Sequence, residues 1–151
     1  MQQTDHPQPQ SRKIMILGIL HLVFAAIYLF LAINAANNME KFLSQVPSSY
    51  RSSVRTANFL DIAIDGIGFV GLLIAGIMLL QKRATGRTFT RTLALILTAA
   101  IVIILAYTLI AFGSDVGTNF ITLGLGLLVR FAYPLIAARL LAPSPEELGL
   151  T

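Results

Sequence analysis

Four apolar runs, each long enough to cross a lipid bilayer, constrain this chain more than any other feature of its sequence. Ile14 to Ala36 holds no charged residue, and its 23 residues extend about 34 Å as a helix, against a hydrocarbon core of about 30 Å. A second run, Phe59 to Leu80, is nearly as long but carries Asp61 and Asp65. The third, Leu93 to Phe112, lies within a charge-free stretch from Thr92 to Ser114. The fourth, Phe120 to Leu141, is interrupted by Arg130, contains Pro134 and has Arg139 near its end. A backbone surrounded by lipid must satisfy its own hydrogen bonds, and these segments are too long and too uniformly apolar for barrel strands. The expected fold class is therefore all-α: an integral membrane four-helix bundle with four transmembrane helices. A disordered tail over residues 1–13, a four-span domain over 14–141 and a short tail over 142–151 complete the expected organisation.

Composition agrees, since 56% of the 151 residues are apolar and only 12% are charged, whereas a soluble domain carries about 25% charged residues. Disorder, a collagen or coiled-coil fibre and a disulfide scaffold are excluded, and a soluble enzyme is disfavoured. Cysteine is absent, which removes thiolate metal sites and thiol nucleophiles. The net charge of +4 does not imply nucleic acid, because the basic residues cluster at the ends of apolar runs.

That clustering predicts orientation. Arg12, Lys13, Lys82, Arg83, Arg87, Arg91 and Arg139 fall on one side, against Lys41, Arg51 and Arg55 on the other. The richer side is cytoplasmic, which places both termini and a loop from Gln81 to Thr92 inside. The stretches Asn37 to Asn58 and Gly113 to Asn119 then face outside, and the expected location is a bacterial cytoplasmic (inner) membrane. The first run exceeds the about 7–15 residues of a signal-peptide core and lacks a clean small-residue cleavage site at Ala32 to Ala36, so it is read as a retained span. The basic set Lys82, Arg83, Arg87 and Arg91 is first a topology signal and second a candidate contact for anionic lipid headgroups. Pro47-Ser48-Ser49 reads as a helix entry running to Ala57, Asn58 with Asp61 as a separate N-cap, and Ser144-Pro145 with Glu147 as a capping box.

Ionisable groups inside spans are the main functional signal, because each is costly in hydrocarbon unless it finds a partner, water or a use. Asp61 and Asp65 stand four residues apart on one helix face, at a depth that the long side chain of Arg130 can reach. Tyr28 and Tyr107 lie in the same outer half, giving a candidate polar cluster of Asp61, Asp65, Arg130, Tyr28 and Tyr107. His21 sits deeper and apart, as a candidate proton-sensitive group. Each has a blander reading: Asp61 as a cap, Asp65 with Arg130 as a structural ion pair, His21 as a hydrogen-bonding group and the tyrosines as packing groups. On the first helix Gly18, His21, Ala25, Tyr28, Ala32 and Ala35 form a stripe of small and polar residues, and on the fourth Thr122, Gly126, Arg130 and Pro134 share a face. Gly66, Gly68, Gly71 and Gly76 are candidate helix-contact glycines, within one bundle or between copies in a homo-oligomer.

No metalloprotease, serine-hydrolase or P-loop motif occurs, and Gly66-x-Gly68-x-x-Gly71 lies inside an apolar run, not at a strand-to-helix turn. The absence of Trp and Cys removes the loop motifs of claudins and tetraspanins. On architecture alone the chain resembles small four-span bacterial membrane proteins. Catalysis, a cofactor and a metal are therefore not expected; the expected partners are the bilayer and other membrane helices. A membrane enzyme on lipid substrates would need a nucleophile or metal set, and none is visible; ahead of it stand two roles, a structural, accessory or regulatory component acting through helix contacts, or a small transporter or channel subunit using the Asp/Arg cluster for solute or proton coupling.

Overall fold

Apolar side chains on every face, with small residues gathered on one, produce long helices that bury their small face and leave their bulky faces outward. A computed structural model describes residues 9–112, 130, 132–148 and 150. The described residues are all-helical, without strands: α1 (Pro9–Ser44), α2 (Arg51–Leu80) and α3 (Ala84–Phe112), followed by a helical segment over 132–140. Three helices, α1, α2 and α3, are long and apolar enough to span a membrane. The expected turn Gly113 to Asn119 and the first part of the fourth run, with Thr122 and Gly126, lie outside the described residues.

The buried face of α1 is Ile14, Leu17, His21, Ala25 and Tyr28, at helical spacings of three and four. It packs on α2, whose buried residues include Ile64, Asp65, Gly68, Leu72, Ala75 and Leu79. α2 also meets α3, whose Leu93, Leu97, Ile101 and Ile104 belong to the same buried core. Large apolar side chains cover the outside instead: Phe30 is 66% exposed, Leu95 70% and Ile110 86%. Such a surface would associate in water and is stable only against lipid or other helices. Backbones approach closely where α1 crosses α2: a Cβ on Gly76 would lie 3.0 Å from the Gly18 carbonyl oxygen, and one on Gly18 would lie 3.3 Å from that of Gly76. Gly71 makes room for Leu93 of α3. Gly86, in the stretch expected as a loop, lets the start of α3 rest on the backbone of Met78 and Leu79.

Each of α1, α2 and α3 runs further than its apolar run. Residues 9–13, expected as disordered tail, belong to α1, which also continues to Ser44 instead of ending near Ala36. Asn58 does not cap a helix: α2 starts at Arg51 and passes through Asn58 and Asp61 without a break, with Tyr50 at the N-cap and no side-chain cap bond. Likewise the expected basic loop from Gln81 to Thr92 shrinks to three residues, because α3 begins at Ala84 and carries Arg87 and Arg91 in its first turns. Hydropathy marks where lipid lies, whereas a helix stops only at a breaker, and Glu, Lys and Arg are good helix formers. The breakers are Pro47 after α1 and the turn after α2. The capping box does form, with the Ser144 amide donating to Glu147 Oε2 at 3.1 Å and the Glu147 amide donating to Ser144 Oγ at 3.3 Å.

The α2–α3 turn closes through a Schellman pair, in which Lys82 N–H donates to the Leu79 carbonyl at 2.9 Å and Arg83 N–H to that of Met78 at 3.0 Å. Lys82 occupies the left-handed position with φ 55°, where glycine is normally favoured. A Cβ there costs about 1 kcal/mol. Lys82→Gly is therefore expected to raise the thermal-unfolding midpoint of the detergent-purified protein, and an unchanged or lower midpoint would show that no such strain resides at the turn.

Candidate functional site

Four residues apart on α2, Asp61 and Asp65 point the same way, and Arg130 binds both. Arg130 Nη1 donates to Asp61 Oδ1 at 2.5 Å and Nη2 donates to Asp65 Oδ2 at 2.7 Å. The side chains grade inward, with Asp61 28% exposed, Arg130 13% and Asp65 0%. Two polar atoms of this group are buried without a hydrogen-bond partner, Asp65 Oδ1 and Arg130 Nε. In apolar surroundings such paired charges hold helices in register, because separating them would strand a charge.

Tyr28 joins through the backbone. Pro134 has no N–H, so the carbonyl of residue 130, four positions earlier, lacks its intrahelical donor. The Tyr28 hydroxyl donates to that carbonyl at 2.7 Å. An orphaned backbone acceptor is expensive in a membrane, and a neighbouring helix satisfies it here. The Tyr28 ring fits because position 68 is glycine: a Cβ on Gly68 would lie 2.3 Å from Tyr28 Cδ1. The structure thus brings together Asp61, Asp65, Arg130 and Tyr28, whereas Tyr107, a member of the expected cluster, has no hydrogen bond to them among the described residues. Of the four glycines singled out, Gly68, Gly71 and Gly76 make close interhelical contacts, while Gly66 has nothing within 4 Å of a Cβ position among the described residues.

Two helical turns away on α1, about 10 Å along the axis, His21 organises a second polar group. Its Nδ1 lies 2.8 Å from the Leu17 carbonyl oxygen and 2.8 Å from the Tyr133 hydroxyl, and its Nε2 lies 3.3 Å from Thr90 Oγ1. Thr90 also donates to the Gly86 carbonyl at 2.8 Å. Tyr133 stacks face to face on Phe24, ring centroids 3.7 Å apart. One fully buried histidine so ties α1 to α3 and to the last helical segment. Sequence reasoning missed both partners. Thr90 fell in the assumed loop, and Tyr133, one turn beyond Arg130, had no signal beyond its place beside Pro134.

At the same end of the bundle Arg87 closes the last helical segment. Its Nε donates to the Leu141 carbonyl at 2.8 Å and its Nη2 to that of Ala142 at 2.8 Å. A cation on the final carbonyls of a helix satisfies orphan acceptors and complements the helix dipole. Of the candidate lipid-headgroup set, Lys82, Arg83 and Arg91 are exposed, whereas Arg87 is partly buried and engaged with these carbonyls.

Among the described residues no group of three His, Asp or Glu side chains is placed to hold a metal ion. No family model, curated protein or solved structure matches the chain.

Proposed function

We propose that the chain is a four-span integral membrane protein of a bacterial cytoplasmic (inner) membrane with both termini in the cytoplasm. In this reading it acts without catalysis, as a structural, accessory or regulatory component working through helix contacts. The observation that carries the reading is the direct bonding of Arg130 to both carboxylates, with the Asp65 side chain excluded from solvent. A solute site needs groups that solute can reach, whereas Asp65 is closed off from the surface and held directly by Arg130. The remaining polar contacts have the same character: Tyr28 on the Arg130 carbonyl, His21 on Tyr133 and Thr90, and Arg87 on the last carbonyls all join separate helices.

Flux into proteoliposomes tests the reading. Vesicles that are empty, that hold the wild-type protein or that hold Asp65→Asn are expected to take up protons, cations and a panel of small solutes at the same rate. Flux present with the wild type and abolished by Asp65→Asn would replace this reading with the alternative, a small transporter or channel subunit.

A further inference from the structure

We propose that Asp65 holds a proton at neutral pH, which makes the Asp61–Arg130–Asp65 cluster a proton-binding site within the bundle. Two carboxylates meet one guanidinium, so with both ionised the group would carry one uncompensated negative charge. Nothing described around it supplies the missing positive charge. On α1 the facing titratable group is Tyr28, whose hydroxyl is turned to the Arg130 carbonyl; the next, His21, is two turns away and bonded to Tyr133 and Thr90. α3 has no charged residue between Thr92 and Phe112, and its titratable group in this half is Tyr107. α2 contributes Asp61, and the last element contributes Arg130 itself.

Asymmetry within the cluster selects the carboxyl. Asp61 is 28% exposed and binds Nη1 at 2.5 Å, so its charge is paired and lies at the edge of the bundle. The Asp65 side chain is 0% exposed, and only its Oδ2 is bonded. Its Oδ1 is buried and has no hydrogen-bond partner among the described residues. An anionic oxygen without a donor costs far more in apolar surroundings than a neutral hydroxyl without an acceptor. With the proton on Oδ1, Oδ2 still accepts from Arg130, and Arg130 with Asp61 forms a neutral pair. Alkali removes that proton, returns the net negative charge to the interior and loosens the grip of Arg130 on α2; the helix contact is thereby sensitive to pH.

Infrared spectroscopy of the full-length protein in vesicles tests this. At neutral pH the wild type is expected to show a protonated-carboxyl stretching band that shifts in D2O. The band is expected to vanish in Asp65→Asn, which removes the group, and in Asp61→Asn, which leaves Asp65 and Arg130 as a balanced pair. Asparagine keeps an oxygen for Arg130 and nearly the same volume, so both variants are expected to elute as folded protein on size exclusion. A wild-type spectrum without the band, or a band that survives either substitution, overturns the proposal. Loss of the band when Na+ replaces choline also overturns it, because the site would then take a metal cation. The readout is independent of flux, so its failure leaves the helix-contact reading standing.

Discussion

Arg130→Leu is expected to destabilise the protein more than any other single substitution considered, by about 3–5 kcal/mol, because two hydrogen bonds from a charged guanidinium, worth about 1.5–3 kcal/mol each, are lost together. The change leaves Asp65 buried with no partner and Asp61 without its ion pair. A membrane helix bundle of ordinary stability has little margin against such a loss, since folded domains are stable by only about 5–15 kcal/mol. The measurement is the fraction of detergent-extracted protein that stays monodisperse on size exclusion after graded heating. Exchange of the two charges, Asp65→Arg with Arg130→Asp, keeps one cation facing two carboxylates and is expected to restore most of what either single change removes. Single variants as stable as the wild type, or an exchange that is worse than both, would show that the ion pair does not hold the helices together.

The second large effect is expected at Gly68. Alanine there places a Cβ 2.3 Å from one ring carbon of Tyr28 and 2.4 Å from the next. Tyr28 is 1% exposed and its hydroxyl is committed to the Arg130 carbonyl, so the ring cannot move aside without breaking that bond. Overpacking of this kind costs about 1–3 kcal/mol, and the lost hydrogen bond adds to it. Gly66→Ala is the matched control, two residues earlier on the same helix and with no neighbour within 4 Å among the described residues. It is expected to be neutral or to stabilise α2 by about 0.5–1 kcal/mol through helix propensity. Equal thermal midpoints for the two alanine variants would refute the assignment of Gly68 as the seat of the Tyr28 ring.

Helical class and membrane character were legible in the sequence because both are local. A charge-free run such as Thr92 to Ser114 has a single stable environment whatever surrounds it. The i, i+4 spacing of Asp61 and Asp65 fixes their common face by helix geometry alone, and Arg130 is the only basic residue inside an apolar run at a matching depth. Helix ends were legible only in part. Asn58 and Asp61 carry an N-cap pattern, yet the chain from Arg51 has no breaker before them, and continuity of the hydrogen-bond ladder overrides the local preference.

What remained out of reach depends on which helices are neighbours. That Tyr28 serves the carbonyl orphaned by Pro134 requires residues 102 positions apart in the chain to meet. The Pro134 to Arg130 offset announces the orphan but not its donor. His21 found Tyr133 and Thr90 by the same kind of encounter, and Arg87, read as a charge that orients the chain, proves to close a helix 54 residues away. Gly66 and Gly68 look alike in sequence, and only packing distinguishes them: one meets none of the described residues and the other faces a tyrosine ring. The sequence by itself determined the solvent, the secondary structure and the face on which the charges stand, since hydropathy and helical period act over a few turns. Tertiary structure alone decided which polar atoms are satisfied, by which helix, and which two are left without a partner, because a hydrogen bond between helices depends on side chains meeting in space.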